Sequence, residues 1–291
     1  MNMQHAMTID VEDYFQVAAF NKVISPDDWA SIETRVEENT RRFLELTETK
    51  GIKATFFMLG WVADKHPTLV REIAAQGHEI ASHGYSHQLI YQQSQNVFRQ
   101  ETERSKKLLE DQAQKPILGY RAASYSVTPK SLWALDIIAE LGFEYDSSIY
   151  PIKHDNYGLQ GGPEYPYVIE LDNGAKLTEF PITTAQLGGL KLPVGGGGYF
   201  RIYPFWLTRY LLSRRVTQSD QPFVFYLHPW ELDPSQPRIP GASRLSNFRH
   251  YTNLDKVYTR LSELMDRFQF STMADVLSEL SDLPTHRYTT V

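Results

Sequence analysis

The chain has 291 residues, 42% of them hydrophobic and 22% charged, a balance that builds a packed core and excludes disorder. Its formal charge of −6, with Lys and Arg scattered rather than striped, gives no footprint for a nucleic-acid backbone. With no cysteine, disulfides and thiolate ligands are excluded, and any transition-metal site must use His and carboxylate.

In chain order, Ala6-Met7-Thr8-Ile9 is short, apolar and followed at once by Asp10, Glu12 and Asp13, as expected for a buried strand delivering acids to its C-terminal rim. Before it, Met1 to Thr8 has neither a basic n-region nor an apolar h-region, and no apolar run of about 18 residues follows anywhere. These features predict no membrane span and a cytoplasmic location. Val36, Phe43, Leu44 and Leu46 recur among charges up to Lys50, with Gly51 ending a predicted helix.

Residues 53–59 read as the next strand, Pro67 to Ala75 as a helix with proline in its first turn, and Glu79 to Ser82 as a third strand running into His83. A polar helix over 94–112, a strand near 117–121 and a helix over 129–141 continue the alternation. Strand and helix in turn predict a parallel sheet, and polar residues placed just after strands favour a distorted (β/α) barrel with its site at the strands' C-terminal ends.

From 153 to 198 the regularity fails. Asp172-Asn173-Gly174 between two apolar runs predicts a hairpin, read here as an insertion shaping a substrate groove. A helix over 205–215, a strand over 223–227 and an amphipathic helix over 254–268 complete the reading. With no repeat or linker, the expectation is one α/β domain over 1–291, whose last stretch, about 241–291, is a helical C-terminal extension.

His83 and His87, four apart, lie downstream of the acidic cluster. One carboxylate and both imidazoles could bind a divalent cation and leave positions open to activate water, which points to a hydrolase. In an extended strand Glu12 shares a face with Asp10, whereas Asp13 requires the chain to have turned; Glu12 is the preferred carboxylate ligand and Asp13 its rival. The bland alternatives are exposed histidines, and acids that cap a following helix.

Four motifs in order carry a resemblance to the polysaccharide deacetylase family, the NodB-homology or carbohydrate esterase family 4 group. They are Thr8-Ile9-Asp10-Val11-Glu12-Asp13, the His83 to His87 pair, Tyr120-Arg121-Ala122-Ala123-Ser124-Tyr125, and Tyr226-Leu227-His228-Pro229. More narrowly, Asp10 to Phe15 and His228-Pro229-Trp230-Glu231 resemble the subfamily associated with bacterial exopolysaccharide loci. The chain departs from the family pattern in spacing its first acids and in having Ala123 where proline is common.

The resemblance implies metal-dependent removal of N-acetyl groups from a sugar of a bacterial polysaccharide or its precursor. Asp10 is then the general base and His228 the general acid, suited by an imidazole pKa near neutrality. Arg121 would keep the Asp10 carboxylate ionised and oriented. Glu12 or Asp13 with His83 and His87 would hold the ion, zinc foremost, with cobalt, nickel or iron also compatible.

Tyr125, Tyr199, Phe200, Trp206 and Trp230 are candidate sugar platforms, with Tyr125, Tyr199 and Trp230 preferred and Trp206 as readily core. Glu179 is a weaker candidate to orient Arg121 or His228. His5, His66, His78, His154 and His250 lack partners in the pattern and carry no assigned chemistry. An allantoinase-like hydrolysis of a small cyclic amide on the same metal site is the alternative, and a catalytically silent carbohydrate binder the third reading.

Overall fold

The computed structural model describes residues 3–152 and 157–288, so His154 lies outside the described residues. Its twelve described strands are β1 (Gln4–Val11), β2 (Thr55–Met58), β3 (Glu79–Ser82), β4 (Gly119–Tyr120), β5 (Tyr145–Asp146), β6 (Tyr167–Glu170), β7 (Lys176–Glu179), β8 (Thr184–Leu187), β9 (Leu190–Pro193), β10 (Val224–Leu227), β11 (Gln269–Ser271) and β12 (Thr285–His286). The α-helices are α1 (Val36–Lys50), α2 (Gly60–Lys65), α3 (Pro67–Ala75), α4 (Gln95–Ala113), α5 (Trp133–Glu140), α6 (Gly197–Ile202), α7 (Phe205–Ser219), α8 (Arg244–Tyr251), α9 (Val257–Arg267) and α10 (Met273–Ser278).

One sheet runs β10-β1-β2-β3-β4-β5-β7-β6-β12, with β11 joined to the first residues of β1. It is parallel except for the β6–β7 hairpin. β1 is buried from His5 to Val11, as expected of a central parallel strand covered on both faces. No continuous ladder closes the ring among the described residues. The gap beside β10 is spanned by Thr183, whose Oγ1 donates to the Val224 carbonyl at 2.6 Å and accepts from the Val224 N–H, and by a bridge from Gly196 to Tyr226.

Two expectations are corrected. The β6–β7 hairpin is not an insertion: β7 pairs in parallel with β5, through Tyr145 to Thr178, and so extends the main sheet. The separate two-stranded element is β8–β9, which has no strong turn signal beyond Gly188-Gly189. The stretch beyond 241 is helical in α8 to α10, but β11 and β12 return it to the sheet, against β1 and β6.

Register delivers the site. Val11 pairs with Met58, Met58 with Ser82, Ser82 with Tyr120 and Tyr120 with Asp146. The next residue along each of three of these strands is Glu12, His83 or Arg121, so a parallel ladder lifts all three to one level at the C-terminal rim. On the other side of β1, Ile9 pairs with Leu227, which brings His228 to the height of Asp10.

Candidate metal centre and acid–base site

Glu12, His83 and His87 are buried together, with their potential ligand atoms within 4.8 Å of one another. Glu12 Oε2 lies 2.6 Å from His87 Nε2. The pair is carried not by a helix but by the loop after β3, where Gly84 and His87 both have positive φ, 74° and 53°. A left-handed histidine is a costly conformation, held here by its surroundings at a site.

The donors suit a divalent cation. His83 Nδ1 lies 2.8 Å from the Arg121 carbonyl, which accepts its proton and leaves Nε2 as the lone-pair nitrogen. Burial lowers the His83 pKa to about 4, so the ring is neutral as a ligand must be. His87 Nδ1 is buried without a hydrogen-bond partner among the described residues. Burial alone would raise Glu12, but the neighbouring His87, then His228 and His83, bring it down to about 2.

Asp13 is not brought to this cluster. Its carboxylate accepts from the backbone N–H groups of Tyr14, Arg35 and Val36, at 2.9, 2.7 and 3.1 Å. The helix-capping alternative therefore describes Asp13: it satisfies the N-terminus of α1 from a distance, where Arg35 supplies no side-chain cap. The chain turns immediately after β1, with the Glu12 N–H on the Asp10 carbonyl, and this turn sends Asp13 away from the rim.

Asp10 is gripped by Arg121, Nη1 to Oδ1 at 2.6 Å, with the Tyr125 hydroxyl 3.5 Å from Oδ2. Arg121 is fully buried and fixed at every nitrogen: Nε to the Ser147 carbonyl, Nη1 also to Thr8 Oγ1, Nη2 to Ser147 Oγ. Its guanidinium lies 4.0 Å from the Phe57 ring centroid. Burial disfavours its charge, but Asp10 more than restores it.

His228 stands over the same centre, Nε2 3.6 Å from Glu12 Oε1 and Nδ1 2.9 Å from Glu231 Oε2. Burial lowers its pKa, yet the Glu231 hydrogen bond and the Glu12 charge win and raise it to about 9. Glu231 also takes Arg201 Nε at 2.6 Å, and Arg201 Nη1 donates to the His250 and Thr252 carbonyls at the end of α8. Arg201 lies outside the motifs, and Glu231 ends the His228-Pro229-Trp230-Glu231 stretch without a role assigned to it from the sequence. The i,i+3 spacing of Glu231 from His228 and the Pro229 start of a tight turn are the sequence features that could have suggested one of them.

The aromatic candidates divide. Tyr125 is at the site, and Tyr199 is half-buried with its hydroxyl 3.4 Å from that of Tyr157. Phe200 is core, packed on Phe205 and Phe225. Trp206 is 63% exposed on the outer face of α7. Trp230 is buried, with His228 stacked on it at 5.0 Å and His250 at 4.1 Å, so its ring packs against imidazoles and offers a sugar no open face. Glu179 makes no hydrogen bond to Arg121 or His228 among those described; it is buried beside Asp146 and accepts the Ile149 N–H.

The histidines without assigned chemistry have structural work. His5 and His78 accept the backbone N–H groups of Phe223 and Ala54, and His66 pairs with Glu37.

Residues 24–145 match the family model described as polysaccharide deacetylase. The chain contains a polysaccharide deacetylase domain. A second model, described as a domain of unknown function, matches residues 147–278. The deacetylase match holds His83, His87 and Arg121; Asp10 and Glu12 precede it, and His228 with Glu231 falls in the second match. The one sheet takes strands from both matches, with β10 of the second beside β1.

A peptidoglycan-N-acetylglucosamine deacetylase of Bacillus cereus is 35% identical over 72 residues, 25% of this chain and 26% of that protein. A chitooligosaccharide deacetylase of Rhizobium leguminosarum bv. trifolii is 42% identical over 48 residues, 16% of this chain and 22% of that protein. The matched stretch thus spans about a quarter of these relatives' length. In fold, the chain resembles a Mycobacterium smegmatis protein described as a polysaccharide deacetylase, with a TM-score of 0.64, 18% identity and coverage of 99% of this chain and 96% of that one. A PuuE allantoinase superposes with a TM-score of 0.59 at 17% identity, covering 94% and 88%. No helix of the described residues is long and apolar enough to cross a membrane.

Proposed function

We propose that this protein hydrolyses the N-acetyl group of an N-acetylated sugar, in a bacterial exopolysaccharide or its precursor, releasing acetate. The observation that carries the reading is the meeting of an Arg121-held carboxylate, Asp10, and a Glu231-held imidazole, His228, at one buried Glu12/His83/His87 cluster. A pure binding protein has no use for both a base and an acid. The stretches 24–145 and 147–278 act as one catalytic domain in this reading.

Amide hydrolysis needs an activated water, stabilisation of the developing oxyanion and a proton for the departing nitrogen. A divalent cation on Glu12, His83 and His87, zinc foremost, would supply Lewis-acid activation of water and charge stabilisation. Asp10 takes the proton of the attacking water; Arg121, hydrogen-bonded at every nitrogen, keeps that carboxylate fixed and ionised. His228, protonated at neutral pH because Glu231 and Glu12 raise it, gives its Nε2 proton to the leaving nitrogen. Tyr125 and Tyr199 line the approach for the sugar.

Acetate release from N-acetylglucosamine oligomers, with allantoin assayed in parallel, tests this. Release by the metal-loaded wild type, abolished in Asp10→Asn and His83→Ala, is expected. Equal turnover by all three proteins, or turnover of allantoin alone, sinks the reading.

A further inference from the structure

Lys and Arg are scattered along the chain, but Asp and Glu thin out in one part of it. Between positions 190 and 260 there are ten Lys and Arg against four Asp and Glu, in a protein with 29 and 35 overall. The same stretch carries most of the exposed large apolar side chains of the described residues: Leu190, Ile202, Trp206, Tyr210, Leu245 and Phe248 are among them, with Val23 and Val97 the exposed ones outside it. Single exposed apolar residues are ordinary; a concentration interleaved with cations is not.

The residues fall on neighbouring helices. Ile202, Trp206 and Tyr210 recur every four residues from the end of α6 along α7, and Leu245 and Phe248 are on α8. α6 packs on both. Arg260 of α9 straps the group, donating to the Phe200, Arg201 and Tyr203 carbonyls. Trp206, Leu245 and Phe248 are 63%, 57% and 55% exposed. Around them Arg214, Arg244, Arg249 and Lys256 are exposed and have no carboxylate within ion-pair distance among the described residues.

We infer that this face is a docking surface for an anionic lipid bilayer. Leucine, isoleucine, tryptophan and phenylalanine side chains set among unpaired guanidinium groups are the composition of helices that lie in a membrane interface: the apolar groups enter the acyl boundary and the cations meet lipid phosphates. A glycan would use flat rings and gain little from Leu245 and Ile202. The inner faces of α6 and α8 carry Arg201 and His250, which stand behind Glu231 and Trp230, so the outer faces border the catalytic rim. Docking here brings that rim to a glycan held at the membrane. The inference stands independently of which bond the site cleaves.

The test is co-sedimentation of the full chain with phosphatidylcholine vesicles and with vesicles also containing phosphatidylglycerol, at low and high salt. Tryptophan emission is recorded alongside, because Trp29 and Trp230 are buried and Trp206 is exposed. Partition into the anionic vesicles that weakens with salt, with a blue shift lost in Trp206→Ala, is expected. Trp206→Ala and Phe248→Ala, both at exposed positions that leave the fold intact, should each weaken partition roughly tenfold, the loss of one inserted aromatic group. Arg244→Glu/Arg249→Glu should abolish the preference for anionic lipid. No partition at low salt, equal partition into neutral vesicles, unchanged partition in the variants, or a concentration-dependent dimer that Trp206→Ala dissociates would each overturn the inference.

Discussion

Replacing Glu231 by glutamine separates the chemistry of the site from its architecture. The side chain keeps its shape and an oxygen for His228 Nδ1, 2.9 Å away, but loses the charge that both His228 and Arg201 use. A hydrogen bond to a charged group contributes about 1.5–3 kcal/mol and a neutral one about 1 kcal/mol. The difference, about 0.5–2 kcal/mol, corresponds to roughly 2- to 30-fold in kcat on the alkaline side, where the variant's imidazole has already given up its proton. KM should hardly move, because Glu231 is buried behind the imidazole and does not face the sugar. The sign of the pH effect is fixed: His228 must be protonated, Glu231 helps to raise its pKa, and removing that help moves the alkaline limb of kcat to lower pH. Arg201 is left in the interior without its counter-charge, which should cost about 3 kcal/mol in urea denaturation. Acetate release across pH, with unfolding measured on the same preparation, is the assay. A stability loss with kcat and its alkaline limb unchanged would show that Glu231 serves Arg201 alone, and would refute the proposed tie to the catalytic acid.

The two neighbouring acids should separate cleanly. Glu12→Ala should abolish stoichiometric zinc binding by metal analysis after dialysis, whereas Asp13→Ala should retain the ion and lose about 3 kcal/mol of stability, since three backbone N–H groups lose their acceptor. His78 is held neutral by burial, its pKa lowered to about 4. As pH falls through the unfolded value near 6.5, the unfolded chain takes the proton first, so stability is full above that value and declines toward pH 4. His78→Asn, keeping an acceptor for the Ala54 N–H, should flatten this decline by about 1–3 kcal/mol in urea melts taken across that range. Gly196→Ala should yield no soluble folded protein, because its φ of 128° is closed to other residues and a Cβ would sit 1.9 Å from the Tyr226 carbonyl oxygen; soluble, active Gly196→Ala would contradict the packing described.

What the sequence disclosed followed from how strong each local pattern is. Pro67 to Ala75 and Glu79 to Ser82 are bounded by proline and glycine and appear with those limits. β5 and β12, two residues each, have no periodicity to read, and β7 looked like an insertion because its partner in the sheet, β5, is one of these short strands. Glu12 could be preferred over Asp13 from strand alternation, but the capping of α1 by Asp13 joins residues 22 apart and has no local trace. Trp230 read as a sugar platform because a sequence shows an aromatic near a rim and not what covers its faces; His250, 20 positions on, covers one of them. Arg201 was invisible for the same reason.

β1 lies between β10 and β2, and this order has a consequence for how the protein comes into being. Its first neighbour is about 45 residues on, while its other, together with His228, is more than 210 away. A chain emerging from the ribosome therefore holds one edge of its most buried strand unpaired until Leu227 has been made. Loop closure of that length is slow, and the waiting edge is open to mispairing. Expressing residues 24–145 alone would remove β1 and β10 together, stripping β2 of its inner neighbour, so the compact stretch recognised by sequence comparison is not a unit that should fold by itself.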